Sequence, residues 1–186
     1  SAAISNAATG TINTWGSLAT IPASSTPAIG TPVVFESADT EYTAAAFDSN
    51  SNKVVIAYED VGNSEYGTAV VGTVSGTSTS WGTPVVFESA RISGFSTGIT
   101  FDSNSNKIVI AYSDAANSFH GTAIVGTVSG TAISFGSPVV FNAATTYYPD
   151  ATFDSNSNKV VIGYRDGGNS YHGYGIVGTV SGTSIS

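Results

Sequence analysis

Three sets of side chains in this chain have types and spacings that could do chemistry, and each set recurs. The first is an Asp-x-Asn-x-Asn pattern: Asp48, Asn50 and Asn52; Asp102, Asn104 and Asn106; Asp154, Asn156 and Asn158. Oxygen ligands at alternate positions are what a Ca²⁺ loop offers. Against this, Lys53, Lys107 or Lys159 stands where an EF-type loop wants glycine, and the bidentate glutamate is missing. The same residues make a polar hairpin turn without any ligand, because Asn and Ser side chains bond to nearby backbone and Asn tolerates positive φ. Calcium is therefore the weaker alternative, and no other cofactor is expected. The second set is Asp60 with Asn63, Asp114 with Asn117, and Asp166 with Asn169. These read as Asx turns or, alternatively, as groups around a shared ligand. The third set is His120 and His172, in the place Tyr66 holds earlier. Zinc needs several converging ligands, so two imidazoles read as strand-end aromatics.

Nothing here composes a catalytic site. No Gly-x-Ser-x-Gly turn accompanies Asp114 and His120. The acidic pair Glu59-Asp60 becomes Ser113-Asp114 and Arg165-Asp166 in later copies, so no pair of carboxylates recurs for glycoside hydrolysis. The chain is read as a non-enzyme, with a propeller-fold glycosidase or lyase the least favoured reading.

The elements that must position these residues are repeated. Phe-Asp-Ser-Asn-Ser-Asn-Lys opens at Phe47, Phe101 and Phe153, and Val-Gly-Thr-Val-Ser-Gly-Thr opens at Val71, Val125 and Val177. Such a period marks one supersecondary unit copied in tandem. The units are 30–81, 82–135 and 136–186, preceded by a leader or partial blade over 1–29. Each unit predicts four short strands. A Pro-Val-Val-Phe segment comes first, at residues 31–35, 83–87 and 137–141. A second strand ends at Phe47-Asp48 and its counterparts. The third is the β-branched run Lys53 to Tyr58, Lys107 to Tyr112 or Lys159 to Tyr164, short and continuous enough to be buried on both faces. The fourth begins near Thr68 and closes at Ser75-Gly76-Thr77. The class is all-β, and four antiparallel strands per ~53 residues predicts β-propeller-type blades.

The stretch from Phe47 to Ser64 resembles the blade pattern of NHL-type propellers. The whole unit, with its Gly-Thr-Pro-Val-Val-Phe and Val-Gly-Thr-Val-Ser-Gly-Thr, resembles repeat arrays in large virion and tail-fibre proteins of marine bacteriophages. That resemblance implies a virion or extracellular, cell-surface setting. Three blades do not close a ring of about 4 to 8. A fragment of a larger propeller, a ring completed by a second chain, and an open stack capped by the leader all remain open.

Where the copies disagree is the functional clue. The segments 36–46, 88–100 and 142–152 carry Tyr42; Arg91 and Phe95; and Tyr147 and Tyr148. A second varying set is Glu59, Ser113 and Arg165 with Glu65, Phe119 and Tyr171. Differences between repeats concentrate in loops, often on the binding face. Tyr42, Arg91, Phe95, Phe119, Tyr147, Tyr148, Arg165 and Tyr171 are the candidate ligand-binding residues, for a cell-surface glycan or protein. Drift in tolerant loops is the alternative, with the array acting as a structural repeat of a virion or filament.

Composition narrows the partners. Five cations against 13 acidic side chains give a net charge of −8. Three of the five are the repeated Lys53, Lys107 and Lys159, so no basic stripe exists for a phosphate backbone or an anionic lipid surface. Charged residues are only 10%, Cys and Met are absent, and no apolar run reaches membrane-spanning length. Without a visible signal segment or an initiator Met, the chain is expected to be a processed product or a segment of something longer.

Overall fold

The computed structural model describes residues 29–92 and 97–186, so the leader lies almost wholly outside the described residues. The strands are β1 (Thr40–Asp48), β2 (Lys53–Asp60), β3 (Tyr66–Ser75), β4 (Ser78–Trp81), β5 (Val85–Arg91), β6 (Gly98–Asp102), β7 (Lys107–Asp114), β8 (His120–Ser129), β9 (Ala132–Phe135), β10 (Val139–Asp154), β11 (Lys159–Asp166), β12 (His172–Gly178), β13 (Val180–Ser181) and β14 (Ser184–Ile185). Single 3₁₀ turns at Val61–Asn63 and Ala115–Asn117 are the only helical segments among the described residues. The all-β expectation holds, with antiparallel sheets that do not close into a barrel.

Three sheets follow one another. The first runs β1-β2-β3, and the far edge of β3 is shared by β4 at residues 72–75 and β5 at residues 66–69. The second repeats this with β6-β7-β8, β9 and the first part of β10. The third contains the last part of β10, then β11 and β12, with β13 and β14 as a small hairpin beyond. Long β10 serves two sheets, pairing with β8 over residues 139–145 and with β11 over residues 146–154.

Sheets and sequence units are therefore offset by one strand. The Pro-Val-Val-Phe strands of the second and third units pair with the last long strand of the unit before them. Residues 31–35, expected as a strand, belong to no ladder among the described residues. The short strands β4, β9 and β14 extend the pattern past Ser-Gly-Thr. A two-residue turn with glycine first reverses the chain, and Gly76, Gly130 and Gly182 take φ of 60°, 62° and 61° there.

The core lies between the sheets. Val55, Ala57, Ala69 and Val71 of the first sheet pack on Ile108 and Ile110 of the second. Val109, Ala111, Ala123 and Val125 of the second pack on Val160 and Ile162 of the third. Strand β7 is buried on both faces, as its β-branched run predicts, while β2 and β11 keep one face partly open. Each fully buried Val or Ile contributes about 1.5–3 kcal/mol, so the middle sheet carries most of the hydrophobic stabilisation.

Candidate functional site

Antiparallel pairing sorts the turns onto two ends of the sheets. The turns after β1, β3, β6, β8, β10 and β12 fall at one end; those after β2, β7 and β11, and the bends before β1 and inside β10, fall at the other. Every repeated turn motif of the Ser-Asn-Ser-Asn and Ser-Gly-Thr type lies at the first end, and the described bends of the variable segments lie at the second. One constant end and one variable end result.

At the constant end the aspartates are committed to their own hairpins. Asp48 Oδ1 accepts the N–H of Asn50 (2.9 Å) and of Ser51 (3.0 Å), and its Oδ2 accepts the Ser51 hydroxyl (2.6 Å). Asp102 Oδ1 accepts from Asn104 and Ser105, and Asp154 from the Asn156 N–H and the Ser157 hydroxyl. These bonds to the carboxylate hold Asp154 below the ordinary carboxyl range. Asn52, Asn106 and Asn158 close the turns in the left-handed region, at φ of 55°, 54° and 54°. Lys53 and Lys159 turn aside to the hydroxyls of Thr73 and Thr179. Hairpin geometry thus accounts for the three aspartates and for Asn52, Asn106 and Asn158 without a ligand.

The variable end brings the third unit's candidates into contact. The Arg165 guanidinium lies 4.4 Å from the Tyr171 ring centroid and 5.2 Å from that of Tyr147. The Tyr147 ring is 6.0 Å from Tyr171 and 6.3 Å from Tyr148. Tyr148 and Tyr171 are each 54% exposed. Both hold positive φ, 52° and 58°, a conformation uncommon for bulky residues and found where the surrounding fold over-determines it. Tyr148 sits in a β-bulge, where the register between β10 and β11 shifts after Tyr147, and a bulge re-aims side chains. Beneath them Thr146 is fully buried: its hydroxyl donates to the Ala144 carbonyl and accepts from Asn142 Nδ2, which also reaches Asp166. This polar knot anchors the aromatic cluster to β11.

The equivalent place in the first unit has opposite character. Tyr42 also sits at a bulge with φ of 50°, but Glu59 and Glu65 replace Arg165 and Tyr171. Arg91 belongs to the second unit and crosses back, its Nε 2.9 Å from Glu65 Oε2, while the backbone N–H of Ile92 donates to the Glu65 carbonyl. In the second unit Ser113 Oγ donates to the carbonyl of Phe119, a residue also at positive φ. Phe95 lies outside the described residues.

No protein-family model and no curated protein matches this chain. The functional reading therefore rests on the chemistry of the variable end. No helix among the described residues is long and apolar enough to cross a membrane.

Glu59 is the group that sequence reasoning did not single out for its burial. It is 1% exposed, and its Oε2 has no hydrogen-bond partner among the described residues. Burial pushes its carboxyl up to about 7, a rise that Arg91 opposes and that Glu65 and Glu41 reinforce. The folded chain therefore holds this proton more tightly than the unfolded chain. Its stability falls as pH rises from about 4.5, the ordinary value, through about 7. Glu59→Gln removes that loss: above pH 7 the variant is expected to gain about 2–3 kcal/mol over wild type, the free-energy equivalent of that rise. The gain shrinks to nothing toward the ordinary carboxyl range. Urea titrations across pH measure the difference; a constant offset at every pH contradicts the assignment.

Proposed function

We propose that the chain is a non-enzymatic β-propeller repeat module whose variable end is an attachment surface for a cell-surface glycan or protein, as part of a virion tail fibre or surface adhesin. Support for blades comes from the strands that begin each sheet, β1, β6 and the last part of β10, which pack on one another. Gly98 of β6 comes so close to the Asp150 backbone that a Cβ there would lie 2.6 Å from its Cα. The first and second sheets also take their outermost strand from the following unit.

The observation that carries the attachment reading is Arg165 set between Tyr147 and Tyr171, with Tyr148 alongside, all on the end where the repeats differ. Tyrosine rings give rigid apolar faces with a polar tip, and a stacked guanidinium keeps donors at its edge for a carboxylate or hydroxyl. Acidic sugars fit this pairing. The buried carboxyl of Glu59 does not argue for acid catalysis, since a general acid must reach its substrate and Glu59 faces the interior.

A glycan array probed with the full chain and with Arg165→Ala and Tyr171→Ala tests the reading. Wild type is expected to bind a subset rich in acidic sugars, and each variant to lose about tenfold or more in affinity, as truncating an aromatic or arginine anchor typically does. Binding that both variants retain in full, or no binding to glycans or surface proteins by any form, would leave the structural-repeat reading in its place.

A further inference from the structure

We infer that the ligand is an acidic oligosaccharide held by two adjoining subsites across the junction of the second and third units. Arg165 and its tyrosines take an acidic sugar, and Phe119 takes the neutral sugar linked to it. This rests on the attachment reading and adds to it a second subsite and a chain direction. Strand β10 brings the two subsites together. At Thr145 it pairs with His120 of the second unit, and at Thr146 and Tyr147 with Asp166 and Arg165 of the third. A single strand therefore separates the two variable turns. Two ladder spacings, roughly 10 Å, lie between the backbones on either side of it. Two linked sugar rings can reach across that span.

Phe119 is fixed to this crossing by its backbone. Its carbonyl accepts the N–H of Thr146 (2.9 Å) and the hydroxyl of Ser113 (3.0 Å). Its own N–H donates to the Asp114 carbonyl at 2.7 Å. Thr146, which ties Phe119 to the third unit, is fully buried and immediately precedes Tyr147. Phe119 occupies the repeat position of Tyr171 and shares its left-handed backbone, at φ of 61° against 58°. Held in this way, it is 38% exposed.

The three units offer different chemistry at this place. In the third, Arg165 stacks on Tyr171 and Tyr147 and keeps donors at its edge for a carboxylate. In the second, Ser113 replaces the arginine, is fully buried and spends its hydroxyl on the Phe119 carbonyl. The turn there offers an aromatic face near the Asp114 carboxylate, which accepts the N–H groups of Ala116 and Asn117. An aromatic face suits the C–H face of a neutral sugar, whereas a second acid would meet the charge of Asp114. In the first unit Glu65 stands at the aromatic position and pairs with Arg91 at 2.9 Å. At this repeat position the rings therefore stop at Phe119. The ligand runs from its acid at the third unit to its neutral sugar at the second.

NMR titration of the full chain with four probes tests this: N-acetylneuraminic acid, sialyllactose, glucuronic acid, and glucuronic acid linked to N-acetylglucosamine. Wild type is expected to bind at least one conjugate about tenfold or more tighter than its free acid. Phe119→Asn removes the ring and keeps a residue that tolerates positive φ. Circular dichroism checks its fold, and Phe119→Gly replaces it if that chain misfolds. The variant is expected to lose the conjugate's advantage and to bind the free acid as wild type does, while Phe119→Tyr retains both. Arg165→Ala weakens free acid and conjugate alike. A conjugate no tighter than its free acid, or Phe119→Asn weakening both equally, overturns the second subsite and leaves attachment at Arg165 standing. A wild-type chain that binds none of the four overturns the acidic-sugar reading and this inference with it.

Discussion

Replacing Gly121 by valine is expected to cost the fold about 3 kcal/mol, while the same change at Gly173 leaves the single chain's stability unchanged or slightly higher. The two glycines are the same repeat position. At Gly121 a Cβ would lie 2.6 Å from the Phe141 ring and 2.6 Å from Thr146 Oγ1. Neither neighbour can give way easily. Phe141 is held edge-on against Tyr164 at 5.2 Å, and Thr146 is fully buried with its hydroxyl bonded on both sides. Valine there must push β10 off β8, and β10 joins the second sheet to the third. At Gly173 no atom stands in the way, and a β-branched residue suits a strand better than glycine does. Urea midpoints of the two variants, read on dilute chain, decide the matter. Equal losses would mean that the space over Gly173 is filled.

The second large effect is expected from Ile110→Ala on β7. Ile110 is fully buried and projects from the central strand of the middle sheet into the interface with the first sheet. Removing its branched side chain loses transfer free energy and leaves a cavity between two sheets whose backbones are tied by their own ladders. A loss of about 3–4 kcal/mol follows. Ile56→Ala, at the equivalent position of the first sheet, is expected to cost about 1 kcal/mol, because Ile56 is only partly buried among the described residues. Denaturant titration of both variants gives the comparison. A cost at Ile56 equal to that at Ile110 in dilute chain would contradict the layered core.

The same two positions show how far the amino-acid order could be read. The β-branched runs at Lys53, Lys107 and Lys159 are legible as strands because a short stretch dense in Val and Ile has few other ways to bury itself. Their unequal burial is not legible, since identical runs become core or flank according to how many sheets stand beside them. The Asp-Ser-Asn-Ser-Asn hairpins are legible for a local reason: the Asp carboxylate meets backbone N–H groups two and three residues on. The second and third Pro-Val-Val-Phe segments are recognisable as strands, while residues 31–35 form none among the described residues, and the pairing of these strands with the preceding unit is not legible. Nothing local distinguishes one neighbouring edge from another.

At the variable end, comparison of the copies identified Tyr147, Tyr148, Arg165 and Tyr171 as candidates, and these four meet. Tyr42 and Phe119 hold the corresponding places in their own units, while Arg91 reaches across a unit boundary to Glu65. Neither that crossing nor the left-handed backbone of Tyr42, Phe119, Tyr148 and Tyr171 has any signal in residue type, because aromatic residues do not favour positive φ. The constancy of the bulge and turn around them imposes it. The burial of Glu59 likewise depends on β5 pairing with β3, where Arg91 and Ile92 reach back to Glu65.

Residue order alone settled what is local: an all-β chain, its period, its hairpins, and which positions vary. Packing decided which sheet receives each strand, which glycine lies under a ring and which lies open, and which side chains share a surface. The physical reason is range. Hairpins and β-branched runs are governed by forces acting within a few residues, whereas strand exchange between units, sheet stacking and the Arg165 cluster join residues whose proximity exists only once the chain has folded.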